Sequence, residues 1–261
     1  MATMVDPVRT TTAAAAGRPR IAVVIPTLDE EEPIGSVVRA VPRDFVDEIV
    51  VADSGSSDRT VERARDAGAR VVVETERGYG RACAAGFAAV RDCDIVVFLD
   101  GDGSDRPEFI PMLVEPILSG AYDFVIGSRT RGEREPGSMN SLQIVAGYGA
   151  GALTRLLYGV AYTDMCAFRA IRHESLERLG MREMTYGWNL EMQMRAARAR
   201  LRILEVPLAH RRRLGGVSKV SGTVMGTVKA ALRIGLTFAR VACERQQRGH
   251  STQDRAAEEK S

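Results

Sequence analysis

The chain has 261 residues, 45% hydrophobic and 27% charged, the composition of a soluble globular protein with one sizeable domain or at most two small ones. Its net charge of +2 is the near-cancellation of 36 basic and 34 acidic side chains, so only local clusters can point to a partner. No basic stripe interleaves with aromatics, which make up just 5% of the residues, and this argues against a nucleic-acid binder.

Cys83, Cys93, Cys166 and Cys243 lack metal-ligand spacing and the histidines are scattered, so the thiols read as reduced in a cytoplasmic protein. Residues 1–18 lack the charged start and apolar stretch of a secretory signal, and they read as a disordered tail, as do the polar residues 244–261. The longest uncharged run, 136–154, contains four glycines and several hydroxyl or amide side chains, so no transmembrane helix is expected.

Apolar, β-branched runs fall at 21–26 (IAVVIP), 48–53 (EIVVAD), 70–74 (RVVVE), 95–100 (IVVFLD) and 124–128 (FVIGS), with helical patterns between them. After the first run, Pro33 follows three glutamates and Ile34, Val37, Val38 and Val41 recur at helical spacing. The acids Glu30, Glu31 and Glu32 favour the start of that helix. After the second run, Asp58 caps RTVERARDAG and Gly68 ends it. Near-continuous hydrophobic strands alternating with helices predict an α/β, Rossmann-like fold, a mostly parallel sheet with helices on both faces.

In such sheets ligands bind beyond the carboxyl ends of the strands, at the switch point in strand order. Three of the first four strands end in polar clusters: PTLDEEE, DSGSSD and DGDGSD. Each alone is ordinary turn chemistry, but together they converge on one edge of the sheet. Asp100 and Asp102 stand two apart on a turn opened by Gly101 and Gly103. Hard oxygen donors on a short loop suit Mg²⁺ or Mn²⁺ completed by substrate phosphates. A calcium-binding loop would need a glutamate at a fixed distance beyond Gly103, and none stands there.

The ordered set VVIPTLDEEEPIGSVV, VADSGSSDRT, GYGRACAAGF, FLDGDGSDRPEF, GSR, TDMCAFRAI and RRRLGGVSK resembles family 2 glycosyltransferases of the dolichyl-phosphate mannose synthase type, over residues 19–235. The resemblance implies a GT-A fold and a nucleotide-sugar donor. By the same resemblance Pro26, Thr27 and Glu30 contact the nucleoside and Asp53 bonds the base. Asp100 and Asp102 bind the metal on the donor diphosphate, with Ser104 at a position where a third ligand is often found. Asp29, Ala52 and Ala167 depart from the family's motifs, so the base stays open between uridine and guanosine.

Arg129, Arg213 and Lys219 match positions that hold phosphates in polyprenyl-phosphate transferases. A lipid phosphate is already ionised, so its site needs cations and no general base. Gly215 and Gly216 between Arg213 and Lys219 let backbone approach an anion, whereas Arg211 and Arg212 read as a solvated turn. Glu191 lies where related transferases carry an acidic base for hydroxyl acceptors. Asp164 is a candidate to orient Arg169 or the sugar, His173 reads as a surface helix start, and Trp188, Met181, Met184, Met192 and Met194 read as packing. From 217 to 243 a helix would carry Lys229, Arg233 and Arg240 on one side, with Val224, Val228, Ala231, Gly235, Phe238 and Ala242 opposite. Such a basic amphipathic helix suits either an anionic membrane surface or packing on the domain or another subunit. The expected activity is inverting, metal-dependent transfer of a hexose, mannose or glucose, to a polyprenyl phosphate at the inner face of a membrane. Transfer to a small soluble acceptor is the second expectation, and a non-catalytic nucleotide-binding partner the third.

Overall fold

The computed structural model describes residues 18–215 and 235–244. The strands are β1 (Ile21–Thr27), β2 (Glu48–Asp53), β3 (Arg70–Val73), β4 (Ile95–Phe98), β5 (Phe124–Ser128), β6 (Arg169–Arg172) and β7 (Ile203–Pro207). The helices are α1 (Glu31–Ala40), α2 (Thr60–Asp66), α3 (Tyr79–Ala89), α4 (Ile110–Leu118), α5 (Ser141–Tyr158), α6 (His173–Leu179) and α7 (Trp188–Arg198). Residues 235–244 form a further helix, α8.

The strands make one sheet in the order β3-β2-β1-β4-β6-β5-β7. All neighbours are parallel except β6, which runs antiparallel between β4 and β5. Every residue of β1 is buried, and successive side chains point to opposite faces, so both faces of the sheet are covered. The five apolar runs of the sequence are the first five strands. β6 and β7 are additions that the apolar pattern did not announce. β7 carries Glu205 and is only half buried, so its pairing with β5 defines it rather than its own hydrophobicity.

Strand order reverses at β1, with β2 on one side and β4 on the other, which opens a crevice at their carboxyl ends. Asp58 caps two helices there: its Oδ1 accepts from Thr60 N at 2.9 Å and its Oδ2 from Glu31 N at 3.1 Å. α2 ends as expected, with Gly68 at φ +89°. α5 opens with a capping box between Asn140 and Gln143, an orphan-donor solution local to four residues.

α8 packs on the domain, one of the two readings its amphipathic pattern left open, with Phe238 against the buried cluster around Val241. Arg240 turns inward, 3.3 Å from Glu183 and 3.2 Å from Glu191, while Thr237 and Val241 are buried, the latter beside Leu190, Met194 and Ala150. The helical wheel grouped Arg240 with Lys229 and Arg233 and could not show the acids that pair with it, which lie in a distant segment. Lys229 and Arg233 lie outside the described residues.

Candidate active site

The loops after β1 and β2 tie to each other at the crevice. Asp29 takes φ +50° and its Oδ1 accepts from Ser57 N at 2.8 Å. Pro26 and Thr27 end β1, and Asp53 sits opposite Thr27 in the register of β2. The Asp53 carboxylate, almost fully buried, accepts from Gly55 N at 3.0 Å, Ser56 N at 2.8 Å, Ser56 Oγ at 2.5 Å and Thr27 Oγ1 at 3.3 Å. It therefore shapes its own loop. Glu30 N is held by Thr60 Oγ1 at 2.8 Å, and its carboxylate meets Arg213 at 2.5 Å.

Beyond β4 the chain turns through Asp100, Asp102 and Asp105. Asp105 Oδ2 accepts from Asp100 N at 3.0 Å and so closes the loop from within. Asp102 Oδ1 accepts from Ser104 N at 2.8 Å and Ser104 Oγ at 2.6 Å, so the Ser104 hydroxyl orients Asp102. Desolvation at the crevice floor, then the charges of Asp105 and Asp102, push the Asp100 carboxyl up to about 8. Burial likewise pushes Asp105 up to about 6. Burial and mutual repulsion of these carboxyls favour a positive charge placed among them.

The segment after β7 supplies that charge. Arg213 spans the crevice between Glu30 and Asp102, 3.7 Å from the latter. Leu214 N donates to Asp102 O at 3.0 Å, Arg211 Nε to Gly103 O at 2.6 Å, and Arg212 Nε to Pro136 O at 2.6 Å. Arg212 is exposed, as the solvated turn expected, whereas Arg211 is partly buried and clasps the acidic loop. Gly103, at φ +75°, also admits Leu214, whose Cδ1 would stand 2.7 Å from a β-carbon there.

His210, which opens this segment, escaped the sequence reading because the strand before it was not recognised. Its Nδ1 is buried without a hydrogen-bond partner, 3.7 Å from Asp105 Oδ1. Burial, then the Arg129 charge, lowers its pKa to about 4, so the imidazole is neutral and able to act as a ligand. Among the described residues no closed set of three His, Cys, Asp or Glu groups forms a ready-made metal cage. Two hard carboxylates with a neutral, unpartnered imidazole nearby fit an ion such as Mg²⁺ or Mn²⁺ that takes its remaining ligands from a diphosphate.

On the acceptor side, Arg129 is committed. Its Nε and Nη2 donate to the two oxygens of Asp164, each at 2.8 Å, and its backbone N adds 2.9 Å. Burial pushes the Asp164 carboxyl up, but the hydrogen bonds and charge of Arg129 outweigh it and hold it below its ordinary value. Asp164 thus orients Arg129, not Arg169, whose guanidinium is buried on the carbonyls of Cys166, Ala167 and Asn189. Glu191 has no exposed surface, and its oxygens accept from Arg182 N, Glu183 N, Arg195 and Arg240. Met192, Met194 and Trp188 are core, as expected, and His173 opens α6 with its ring 4.9 Å from that of Phe87 at a tilt of 45°. Lys219 lies outside the described residues.

The family model of glycosyl transferase family 2 matches residues 22–180. A glycosyltransferase of Mycobacterium tuberculosis whose activity is uncharacterised is 35% identical over 215 residues, 81% of this chain and 94% of the relative. The undecaprenyl-phosphate mannosyltransferase of Micrococcus luteus is 34% identical over 229 residues, 79% of this chain and 90% of the relative. Among solved structures, glucosyl-3-phosphoglycerate synthase of M. tuberculosis, bound to Mn²⁺, uridine-diphosphate-glucose and phosphoglyceric acid, superposes with a TM-score of 0.69 at 27% identity, covering 86% of this chain and 80% of that one. The fold is of the GT-A type. With its matched motifs at the carboxyl ends of β1, β2 and β4, the chain belongs to glycosyl transferase family 2 and is a glycosyltransferase.

Proposed function

We propose that the protein transfers a hexose from a nucleoside diphosphate sugar to a polyprenyl phosphate, with inversion, at the inner face of a membrane. The nucleoside would lie on Pro26, Thr27, Glu30 and Asp53. Asp100 and Asp102, with His210 close by, would hold a divalent ion, which when bound supplies positive charge to the leaving diphosphate. The acceptor's phosphate oxygen attacks the anomeric carbon as the bond to the diphosphate breaks, and no proton need be removed from an already ionised acceptor. Arg213 turns from Glu30 and Asp102 toward phosphate in this reading, with Lys219 as its partner, while Arg129, clamped by Asp164, lends its charge to the same wall.

The observation that carries the acceptor assignment is the outer face of α5. Leu142, Val145, Tyr148, Leu153 and Leu156 are exposed on it, whereas Gly147 on the inner face lies against the backbone of Thr163 and Asp164. One helix thickness, about 10 Å, therefore separates an apolar surface from the Arg129–Asp164 pair, a suitable offset for a lipid whose phosphate stands at the headgroup level. Among the described residues no helix is long and apolar enough to cross a membrane, so the contact would be peripheral. The sealed state of Glu191 also favours an acceptor that brings its own charge. The M. luteus relative supports a lipid acceptor. The likeness to glucosyl-3-phosphoglycerate synthase supports the second reading, a small phosphorylated acid.

A panel of labelled uridine- and guanosine-diphosphate hexoses, offered with undecaprenyl phosphate or with phosphoglycerate, tests this. Label in the organic phase, lost with excess chelator and in Arg213→Ala, is expected. Label appearing only in the aqueous phase with phosphoglycerate would replace the lipid reading with the soluble one.

A further inference from the structure

We propose that the Tyr79 hydroxyl positions Asp100 for the divalent ion, so that the first residue of α3 belongs to the donor site. This rests on the metal reading above and adds to it a residue outside the acidic loop.

Tyr79 Oη donates to Asp100 Oδ1 at 3.1 Å. With its backbone N on Asp105, Asp100 is thereby fixed at both ends, and the hydroxyl's single proton engages one carboxylate oxygen while the other stays available.

The ring has little freedom to leave. On either side of it, a β-carbon at Gly78 would stand 2.3 Å from Met184 O, and one at Gly80 would stand 2.2 Å from Glu183 O. Arg81 N donates to Met184 O at 3.0 Å. The start of α3 is thus pressed against the 183–184 backbone, and only glycine flanking Tyr79 permits the approach. The GYG of the sequence marks this contact. A tyrosine whose main chain is pinned by a neighbouring loop, and whose hydroxyl donates to a carboxylate, holds that carboxylate in one rotamer before an ion arrives.

The test is Mn²⁺ binding to the full-length protein, followed by electron paramagnetic resonance with and without a nucleoside diphosphate, alongside thermal unfolding. Wild type, Tyr79→Phe, Asp100→Asn and Ala82→Gly are compared. Ala82→Gly loosens the same helix at a buried position and leaves the Tyr79 hydroxyl and Asp100 in place. Tyr79→Phe is expected to weaken Mn²⁺ binding by roughly tenfold, the effect of one hydrogen bond to a charged group, with an unfolding midpoint no lower than that of Ala82→Gly, which binds as wild type. Should Tyr79→Phe not fold, Gly80→Ala, whose β-carbon pushes the start of α3 off the 183–184 backbone and carries the hydroxyl away from Asp100, is expected to lose affinity in the same direction. Wild-type affinity in Tyr79→Phe, or in Gly80→Ala if that variant stands in for it, overturns the positioning role while leaving the metal site intact, provided Asp100→Asn loses the ion. Undiminished binding by Asp100→Asn, or no binding by wild type, overturns the metal reading itself and this inference with it.

Discussion

Glu191→Gln separates a structural acid from a catalytic one. The carboxylate has no exposed surface and accepts from Arg182 N at 2.9 Å, Glu183 N at 2.6 Å, Arg195 Nε at 2.9 Å and Arg240 Nη2 at 3.2 Å. Glutamine keeps the shape but offers one acceptor oxygen, so either the two backbone donors or the two guanidinium groups must face an NH₂. The Arg195 side chain is 6% exposed and retains Glu244 at 3.0 Å. Breaking a buried pair costs about 3 to 5 kcal/mol when the partner is left uncompensated, and the surviving Glu244 contact sets the expectation near the lower end, about 3 kcal/mol. Equilibrium urea unfolding at constant slope measures it. Transfer should fall as well, because the 182–183 backbone loses the anchors that seat it against α3. A stability change below about 1 kcal/mol together with abolished transfer would refute this account and make Glu191 a base.

Asp53→Ala is expected to weaken nucleotide binding in calorimetry and also to lower stability by about 1 to 3 kcal/mol, since four donors lose their acceptor. An unchanged unfolding midpoint would contradict the loop-shaping role. Asp123 joins the start of β5 to the start of β7 through Arg202, and hydrogen bonds from Arg202 hold its carboxyl down to about 2. A depressed carboxylate stabilises the fold above its ordinary value of about 3.9 and loses that contribution as pH falls through the folded value. The stability difference between wild type and Asp123→Asn should therefore shrink steadily over that acid range. A gap that stays constant as the acid is titrated would exclude the Arg202 pair as its source.

The sequence by itself determined the first five strands, the caps at Asp58 and Gly68, and the acidic turn at Asp100 and Asp102. Each is written in short-range pattern: β-branched runs, a capping side chain within two residues of the donor it serves, glycines where a turn needs them. Fully buried parallel strands must be almost wholly apolar, so they are legible without knowing their neighbours. The two strands that went unread, β6 and β7, take their form from pairing with β4 and β5, and His210 was missed with the strand that delivers it.

What only the tertiary structure decided was who meets whom among the charges. Arg213 reaches Glu30 across 183 positions of sequence, Arg240 reaches Glu191 across 49, and Arg129 takes Asp164 across 35. Charged residues carry no periodicity that names their partners, and whether a cation is free for a ligand or bound to a buried acid depends on where folding brings that acid. The same holds for Tyr79, an ordinary aromatic between two glycines until the fold sets its hydroxyl on Asp100, 21 residues away. Short-range chemistry wrote the scaffold and its acidic turn, whereas long-range packing assigned each polar group a partner, because burial makes an unpartnered charge too costly to leave to chance.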